Sequence, residues 1–282
     1  MPKKKMIHEL YEMKKKGEKI TFLTSYDFPT ARFAEQAGMD MILVGDSLGM
    51  CVYGYAGTVP VTMDQMIVHA EAVRRGAWNT FVIGDMPFMS YQGSDESAVE
   101  NAGRFLKEAG CDAVKLEGGV RVASRIRTLV DAGIVVMGHI GLTPQSSGQL
   151  GGHKAQGRTS EAAAMVVEDA LAVQEAGAHM ILLEAIPPEV GRYITETLSI
   201  PVLSIGAGMH CDGQLLIVSD MIGQFTAFTP KFVKKYADVA EVVLHAMQDY
   251  IKDVREGRFP TDDHCYHMIE GEEEKFLESL KR

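Results

Sequence analysis

A unit that recurs roughly every 20 to 35 residues constrains this chain most: a short β-rich apolar run, a turn carrying a polar residue, then a helical stretch. That order is the signature of parallel βα units. It predicts strands over Ile20–Thr24, Met41–Gly45, Thr80–Gly84, Ala113–Leu116, Ile134–Gly138, His179–Leu183, Pro201–Ile205 and Leu215–Val218. Between them, helical patterns run over Ala31–Ala37, Met63–Arg74, Glu96–Ala109, Ala123–Ala132, Glu161–Ala176 and Val190–Leu198, several stopped by a glycine such as Gly38, Gly110, Gly133 or Gly177. Eight strands in 282 residues match a (β/α)8 TIM barrel, read here as one domain over residues 1–282; a doubly wound open sheet is the alternative. A last helical stretch over Lys231–Arg255 and an acidic tail over Glu270–Glu274 are expected to form a C-terminal cap.

Composition narrows the partners. The chain is 46% hydrophobic, enough for a large core, since about 75% of the unfolded surface is buried at this size. Twenty-eight basic against 38 acidic residues give a net charge of −10, which disfavours nucleic acid and anionic membrane. The basic start Met1–Lys5 is followed by His8-Glu9-Leu10-Tyr11-Glu12 rather than by an apolar signal core, and no apolar run reaches the length of a membrane span. Cys51, Cys111, Cys211 and Cys265 are far apart, with no C-x-x-C pair, as expected of reduced thiols in a cytoplasmic protein.

In such a barrel chemistry gathers on the loops that follow the strands, and here those positions are acidic. They carry Asp27, Asp46 beside Ser47, Asp85, Lys115 with Glu117, His139, Glu184 and Asp220. Each acid taken singly also reads as a helix cap or Asx-turn. Lys115 and Glu117 are two apart on one strand, so both face the same side, while Val114 and Leu116 face the helices. Alternation alone leaves the direction of Glu184 open. Carboxylates converging from neighbouring strands repel unless protons or a cation neutralise them. Oxygen ligands without a His/Cys cluster favour Mg2+ or Mn2+ over zinc, and Asp46 and Asp85, from adjacent strands, are the expected ligands.

The ordered blocks Thr24-Ser25-Tyr26-Asp27, Ile42–Met50, Gly54-Tyr55, Thr58–Thr62, Gly84–Phe88, Val114–Gly119, Gly138–Gln145, Gln156-Gly157-Arg158 and Ile205–Gly208 closely resemble the ketopantoate hydroxymethyltransferase family. They run in family order from about residue 20 to 225. The resemblance implies a Mg2+-dependent (β/α)8 barrel with one Mg2+ per subunit, assembled as a homo-oligomer, a decamer in the family. It implies transfer of a hydroxymethyl group from 5,10-methylenetetrahydrofolate to 3-methyl-2-oxobutanoate, giving 2-dehydropantoate for pantothenate biosynthesis through a metal-stabilised enolate. Carried onto matching positions, it places Asp46 and Asp85 on the metal with Glu117 in the metal shell or linked through water. Asp46, Ser47, Asp85 and Lys115 then hold the keto acid, and Glu184 is the proton acceptor. The one local departure is Ala185-Ile186-Pro187-Pro188 after Glu184, where the family often has a Cys- or Ala-containing Val-Pro stretch.

Other features read less sharply. His139 either contacts substrate or hydrogen-bonds within the barrel mouth. Ser146–Gly157, rich in glycine, reads equally as a lid or a plain loop. Gly206 and Gly208 suggest a tight turn and no nucleotide fingerprint. The 17 methionines and Phe225, Phe228 and Phe232 read as core and helix packing. The main rival function is another metal-dependent enzyme of 2-oxo acids, of the isocitrate lyase and phosphoenolpyruvate mutase group, whose Lys-Lys-Cys-Gly-His type motif this chain lacks. A non-catalytic keto-acid sensor on the same barrel is a second rival, and fold alone decides nothing.

Overall fold

The computed structural model describes residues 4–281. Met1, Pro2 and Lys3 of the basic start, and Arg282, lie outside the described residues. Eight parallel strands follow in chain order: β1 (Ile20–Thr24), β2 (Met41–Val44), β3 (Phe81–Asp85), β4 (Ala113–Glu117), β5 (Val136–Gly141), β6 (Met180–Glu184), β7 (Val202–Ile205) and β8 (Gly213–Leu216). Each pairs with the next, and β8 pairs back onto β1 through Ile20 opposite Gly213 and Phe22 opposite Leu215, so the sheet closes into a barrel. Closure excludes the open sheet.

Alternation sorts each strand between two apolar layers. Phe22, Met41, Leu43, Phe81, Ile83, Met137, Met180, Leu182 and Leu203 fill the inside of the barrel. Ile42, Val44, Val82, Val114, Leu116, Ile181, Leu183 and Val202 pack outward among the helices. Helices start where a side chain can take an orphan backbone N–H: Asp27 accepts from Thr30 and Thr159 from Ala162, while Thr62 exchanges bonds with Gln65.

Most element ends shift by a residue or more from expectation, and three shifts stand out. β5 begins at Val136, because the preceding helix unwinds through Gly133 (φ 82°), with the Ile134 N–H bonded back to Leu129. β8 begins two residues early, at Gly213, and ends at Leu216; Val218 opens a short helix. A Cβ on Gly213 would lie 2.4 Å from the Ile20 carbonyl oxygen, so only glycine lets this strand pair there. The helix expected from Lys231 starts at Val239; before it, Phe232 packs over Gly206, close enough that a Cβ there would lie 2.6 Å from its ring, and the Tyr236 N–H bonds to the Met221 carbonyl.

The amino end of the barrel is held by ion pairs. Just before β2, β4 and β8 stand Asp40, Asp112 and Asp212, each accepting a backbone N–H from a neighbouring strand, at Thr21, Val82 and Val202. Each also pairs with a cation: Asp40 with Lys5 (2.5 Å), Asp112 with Arg74 and Lys4 (both 2.5 Å), Asp212 with Lys14 (2.6 Å). The lysines come from the amino-terminal segment and its helix Ile7–Lys16.

The chain divides into two compact units, the barrel ending at Tyr236 and a second unit beginning at Ala237. The second unit consists of the helix Val239–Arg255, a 3-10 turn at Asp262–His264 and the helix Glu272–Ser279. Among the described residues no helix is long and apolar enough to cross a membrane, and all four cysteines are free thiols.

Candidate active site

Strand register decides which polar residues meet. Because Phe81 and Ile83 point inward, so does Asp85; because Ala113 does, so do Lys115 and Glu117. The same phase turns His139 inward after Met137, and Glu184 inward after Met180 and Leu182, which resolves the direction that alternation alone left open. Asp85 lies opposite Lys115 across β3 and β4, and Glu117 opposite His139 across β4 and β5. Asp46 sits just beyond β2, with its backbone N–H donated to Asp85 Oδ2 (3.0 Å).

Lys115 is the hub. Its Nζ lies 2.7 Å from Asp85 Oδ1, 3.9 Å from Glu117 Oε1 and 3.2 Å from His139 Nδ1. An ammonium only donates, so His139 Nδ1 must accept and the neutral imidazole carries its proton on Nε2. That nitrogen is 3.1 Å from Glu184 Oε2, without completing a regular hydrogen bond. Ser47 enters the network from the opposite wall: its hydroxyl is 2.8 Å from Tyr26 OH, which accepts from Thr24 Oγ1 (3.1 Å).

The electrostatics are unbalanced. Asp46, Asp85, Glu117 and Lys115 are all buried, so three carboxylates share one ammonium, leaving two negative charges uncompensated when all are ionised. Burial pushes Asp85 well above the ordinary carboxylate range against the pull of Lys115, and the charge of Asp46 adds to the rise. Burial likewise raises Asp46, helped by Glu117, and raises Glu117 despite Lys115. Burial opposes the charge on Lys115, but the carboxylates of Asp85, Glu117 and Asp46 win and hold its pKa up. His139 is driven down by burial and by Lys115, consistent with a neutral ring.

Two acids of the strand-end series do something else. Asp27 is the cap of the helix Phe28–Gln36, and Asp220 lies inside the short helix Val218–Met221. The remaining residues open on one cavity of about 1050 Å³, above the roughly 300–1,000 Å³ of ordinary small-molecule pockets. Its lining includes a polar set, Asp46, Ser47, Asp85, Lys115, Glu117, His139 and Glu184, and an apolar set, Leu142, Ile186, Pro187, Pro188, Phe228 and Phe232. Phe228 and Phe232, expected in core and helix packing, thus line the cavity. Ala185, in the stretch that departs from the family pattern, takes a positive φ of 47°, and Ile186 to Pro188 after it form part of the apolar wall. Ser146–Gly157 contains a helical turn at Ser147–Leu150, and its His153 and Ala155 reach the cavity rim.

The donor set suits a hard divalent cation with few protein ligands. Asp85 Oδ1, buried, has no hydrogen bond besides its ion pair with Lys115, and the carboxylates in excess over that ammonium are charges such an ion would offset. Among the described residues no three His, Cys, Asp or Glu side chains are placed to hold a metal ion together. Mg2+ does not require three, since it keeps water and takes one or two carboxylates.

A closed (β/α)8 barrel with buried acid, base and ammonium groups at the carboxyl ends of its strands has the build of a barrel enzyme. Among solved structures, 2,3-dimethylmalate lyase, a PEP mutase/isocitrate lyase superfamily member, shares this fold with a TM-score of 0.59 at 19% identity, over 99% of each chain. The family model of ketopantoate hydroxymethyltransferase matches residues 4–262. The 3-methyl-2-oxobutanoate hydroxymethyltransferase of Alkaliphilus metalliredigens (strain QYMF) is 65% identical over 274 residues, 97% of each chain. Its counterpart in Heliobacterium modesticaldum (strain ATCC 51547 / Ice1) is 52% identical over 268 residues, 95% of this chain and 97% of the other. The chain belongs to the ketopantoate hydroxymethyltransferase family.

Proposed function

We propose that this protein forms 2-dehydropantoate by transferring a hydroxymethyl group from 5,10-methylenetetrahydrofolate to 3-methyl-2-oxobutanoate, with Mg2+ held by Asp46 and Asp85 and with Glu117 in the metal shell. The observation that carries the reading is one cavity of about 1050 Å³, more than a five-carbon oxo acid fills, lined by both a carboxylate-rich polar set and an apolar set of side chains. The polar lining suits the keto acid, and the apolar lining suits a flat, bulky co-substrate such as the folate. A bound divalent cation supplies polarisation of the keto oxygen and neutralises its carboxylate ligands.

The chain's own groups have distinct roles. Lys115 sets a fixed positive charge beside the anionic substrate, and Ser47, held by Tyr26, offers a hydroxyl to it. Glu184 takes the C3 proton, and the electron pair of that C–H bond spreads onto the keto oxygen. C3 then bonds to the folate methylene carbon; the carbon–nitrogen bonds to the folate break, water supplies the hydroxyl, and tetrahydrofolate leaves. His139 Nε2 stands 3.1 Å from Glu184 Oε2, beside the proton acceptor. Assembly into a homo-oligomer is part of this reading; the helix Val239–Arg255 carries Leu244, Met247, Ile251 and Val254 at helical spacing and buries none of its residues.

The test is an assay with 3-methyl-2-oxobutanoate, methylenetetrahydrofolate and Mg2+. Product should require all three, disappear on chelation and return with Mg2+ or Mn2+. Folate-independent turnover of another 2-oxo acid would move the protein to the lyase and mutase group, and undiminished turnover after exhaustive chelation would remove the metal.

A further inference from the structure

Gln145 enters the site from the loop after β5, at the head of the glycine-rich segment, and is 4% exposed. Its backbone N–H donates to Glu117 Oε2 (3.0 Å), and its side-chain Nε2 donates to Asp46 Oδ2 (2.9 Å) and to the Met86 carbonyl (2.9 Å). One residue thus ties together carboxylates carried by β4 and by the turn after β2. The opposite edge of its amide is fixed as well: Oε1 accepts from Tyr91 OH (2.8 Å) and Gln92 Nε2 (3.2 Å). Tyr91 OH in turn accepts the backbone N–H of Glu117 (3.0 Å), and its single proton goes to Gln145, the nearer of two acceptors, the other being the Glu117 carbonyl at 3.2 Å. Flipping the amide would press its oxygen against a carboxylate and a carbonyl, so only one orientation satisfies the network.

We propose that Gln145 is a positioning residue for the cation site, holding one oxygen of Asp46 and one of Glu117 so that both carboxylates stand ready for a divalent ion, with Tyr91 locking the amide that does so. The proposal rests on the cation reading above. The residue type fits this role, because a neutral amide fixes an anion without cancelling the charge that attracts the metal, whereas lysine or arginine would compete with the ion. Groups that orient metal ligands are commonly worth 10- to 100-fold in metal affinity.

The experiment is Mn2+ binding to the full chain, without keto acid or folate, followed by the loss of the free Mn2+ electron paramagnetic resonance signal. Gln145→Met keeps the backbone N–H and the side-chain length but removes the amide; its dissociation constant should rise by about 10- to 100-fold. Tyr91→Phe should raise it by a smaller factor, and Asp46→Asn should abolish tight binding. Metal-free thermal melts show whether each variant is folded; if Gln145→Met is not, Tyr91→Phe decides alone. Affinity within twofold of the parent in the folded variants, with Asp46→Asn defective, overturns the role of Gln145 and leaves the cation reading standing. A parent protein that binds no Mn2+ sinks the cation reading, and this proposal with it.

Discussion

The two ends of the barrel use the same residue types to opposite effect. At the amino end Asp40, Asp112 and Asp212 each meet a lysine or arginine and a strand N–H, so the charges are matched and the carboxylates tie neighbouring strands together. At the carboxyl end Asp46, Asp85 and Glu117 are buried around one buried ammonium, Lys115, with Glu184 and a neutral His139 beside them. Matched charge stabilises a fold and has little left to offer a ligand. Unmatched buried charge costs stability and is what a cation or an ionic substrate can repay, which is why perturbed groups collect at functional sites.

If that contrast is right, substitutions at the carboxyl end change kinetics and those at the amino end change melting. The largest effect should come from Glu184→Gln, which keeps the shape but cannot cycle a proton: turnover should fall by about 10²- to 10⁴-fold with keto-acid binding little changed. Hydrogen–deuterium exchange at C3 of 3-methyl-2-oxobutanoate, followed without folate, should be lost as well. Exchange that survives while transfer fails would shift Glu184 to a later proton step.

Next in size, Asp112→Ala breaks the pairs with Arg74 and Lys4 and frees the Val82 N–H, and should cost about 3 kcal/mol of stability. Below the melting transition its kcat and KM should match the parent. A kinetic defect in a folded Asp112→Ala protein would blur the distinction between the two ends. Lys115→Ala should raise KM for the keto acid by roughly one to two decades, as expected for one charge-assisted hydrogen bond worth about 1.5 to 3 kcal/mol. Unchanged KM would reduce Lys115 to a structural counter-ion.

The smallest effect is on pH dependence. Burial holds Asp46, Asp85 and Glu117 above the ordinary carboxylate range, so without metal the folded chain keeps protons that the unfolded chain has released. Their stabilising contribution is present below an unfolded pKa of about 4 and is lost as pH rises through the raised values. The metal-free protein should therefore lose some thermal stability between about pH 5 and pH 8, and saturating Mg2+, worth about 2.7 kcal/mol at a hundredfold excess over its dissociation constant, should raise Tm more at the higher pH. Melting curves with and without Mg2+ at both pH values check this. A metal-free protein more stable at pH 8, or a Tm indifferent to Mg2+, would contradict it.

Much of the site was legible before the fold. Lys115 and Glu117 share a face by simple alternation, and the acids at the strand ends mark where chemistry gathers, although Asp27 shows that the same pattern also yields an ordinary helix cap. The supporting residues were not legible. Gln145, Tyr91 and Tyr26 act through hydrogen bonds to residues 26, 54, 99 or 21 positions away, and no local periodicity encodes such distances. Phe232 was hidden for a related reason: its partner is the bare backbone of Gly206, and a missing side chain leaves no apolar pattern.

By itself the sequence determined the repeating βα unit, the number of strands and the chemical types available at their carboxyl ends, because those depend on period, propensity and turn chemistry within a few residues. Tertiary structure decided the rest. Closure of β8 onto β1 sets one inside for all eight strands, and only a defined inside turns Glu184 and His139 toward Lys115. Register then places Asp85 against Lys115, and burial, which no single segment possesses, converts ordinary acids into groups whose charge has to be shared.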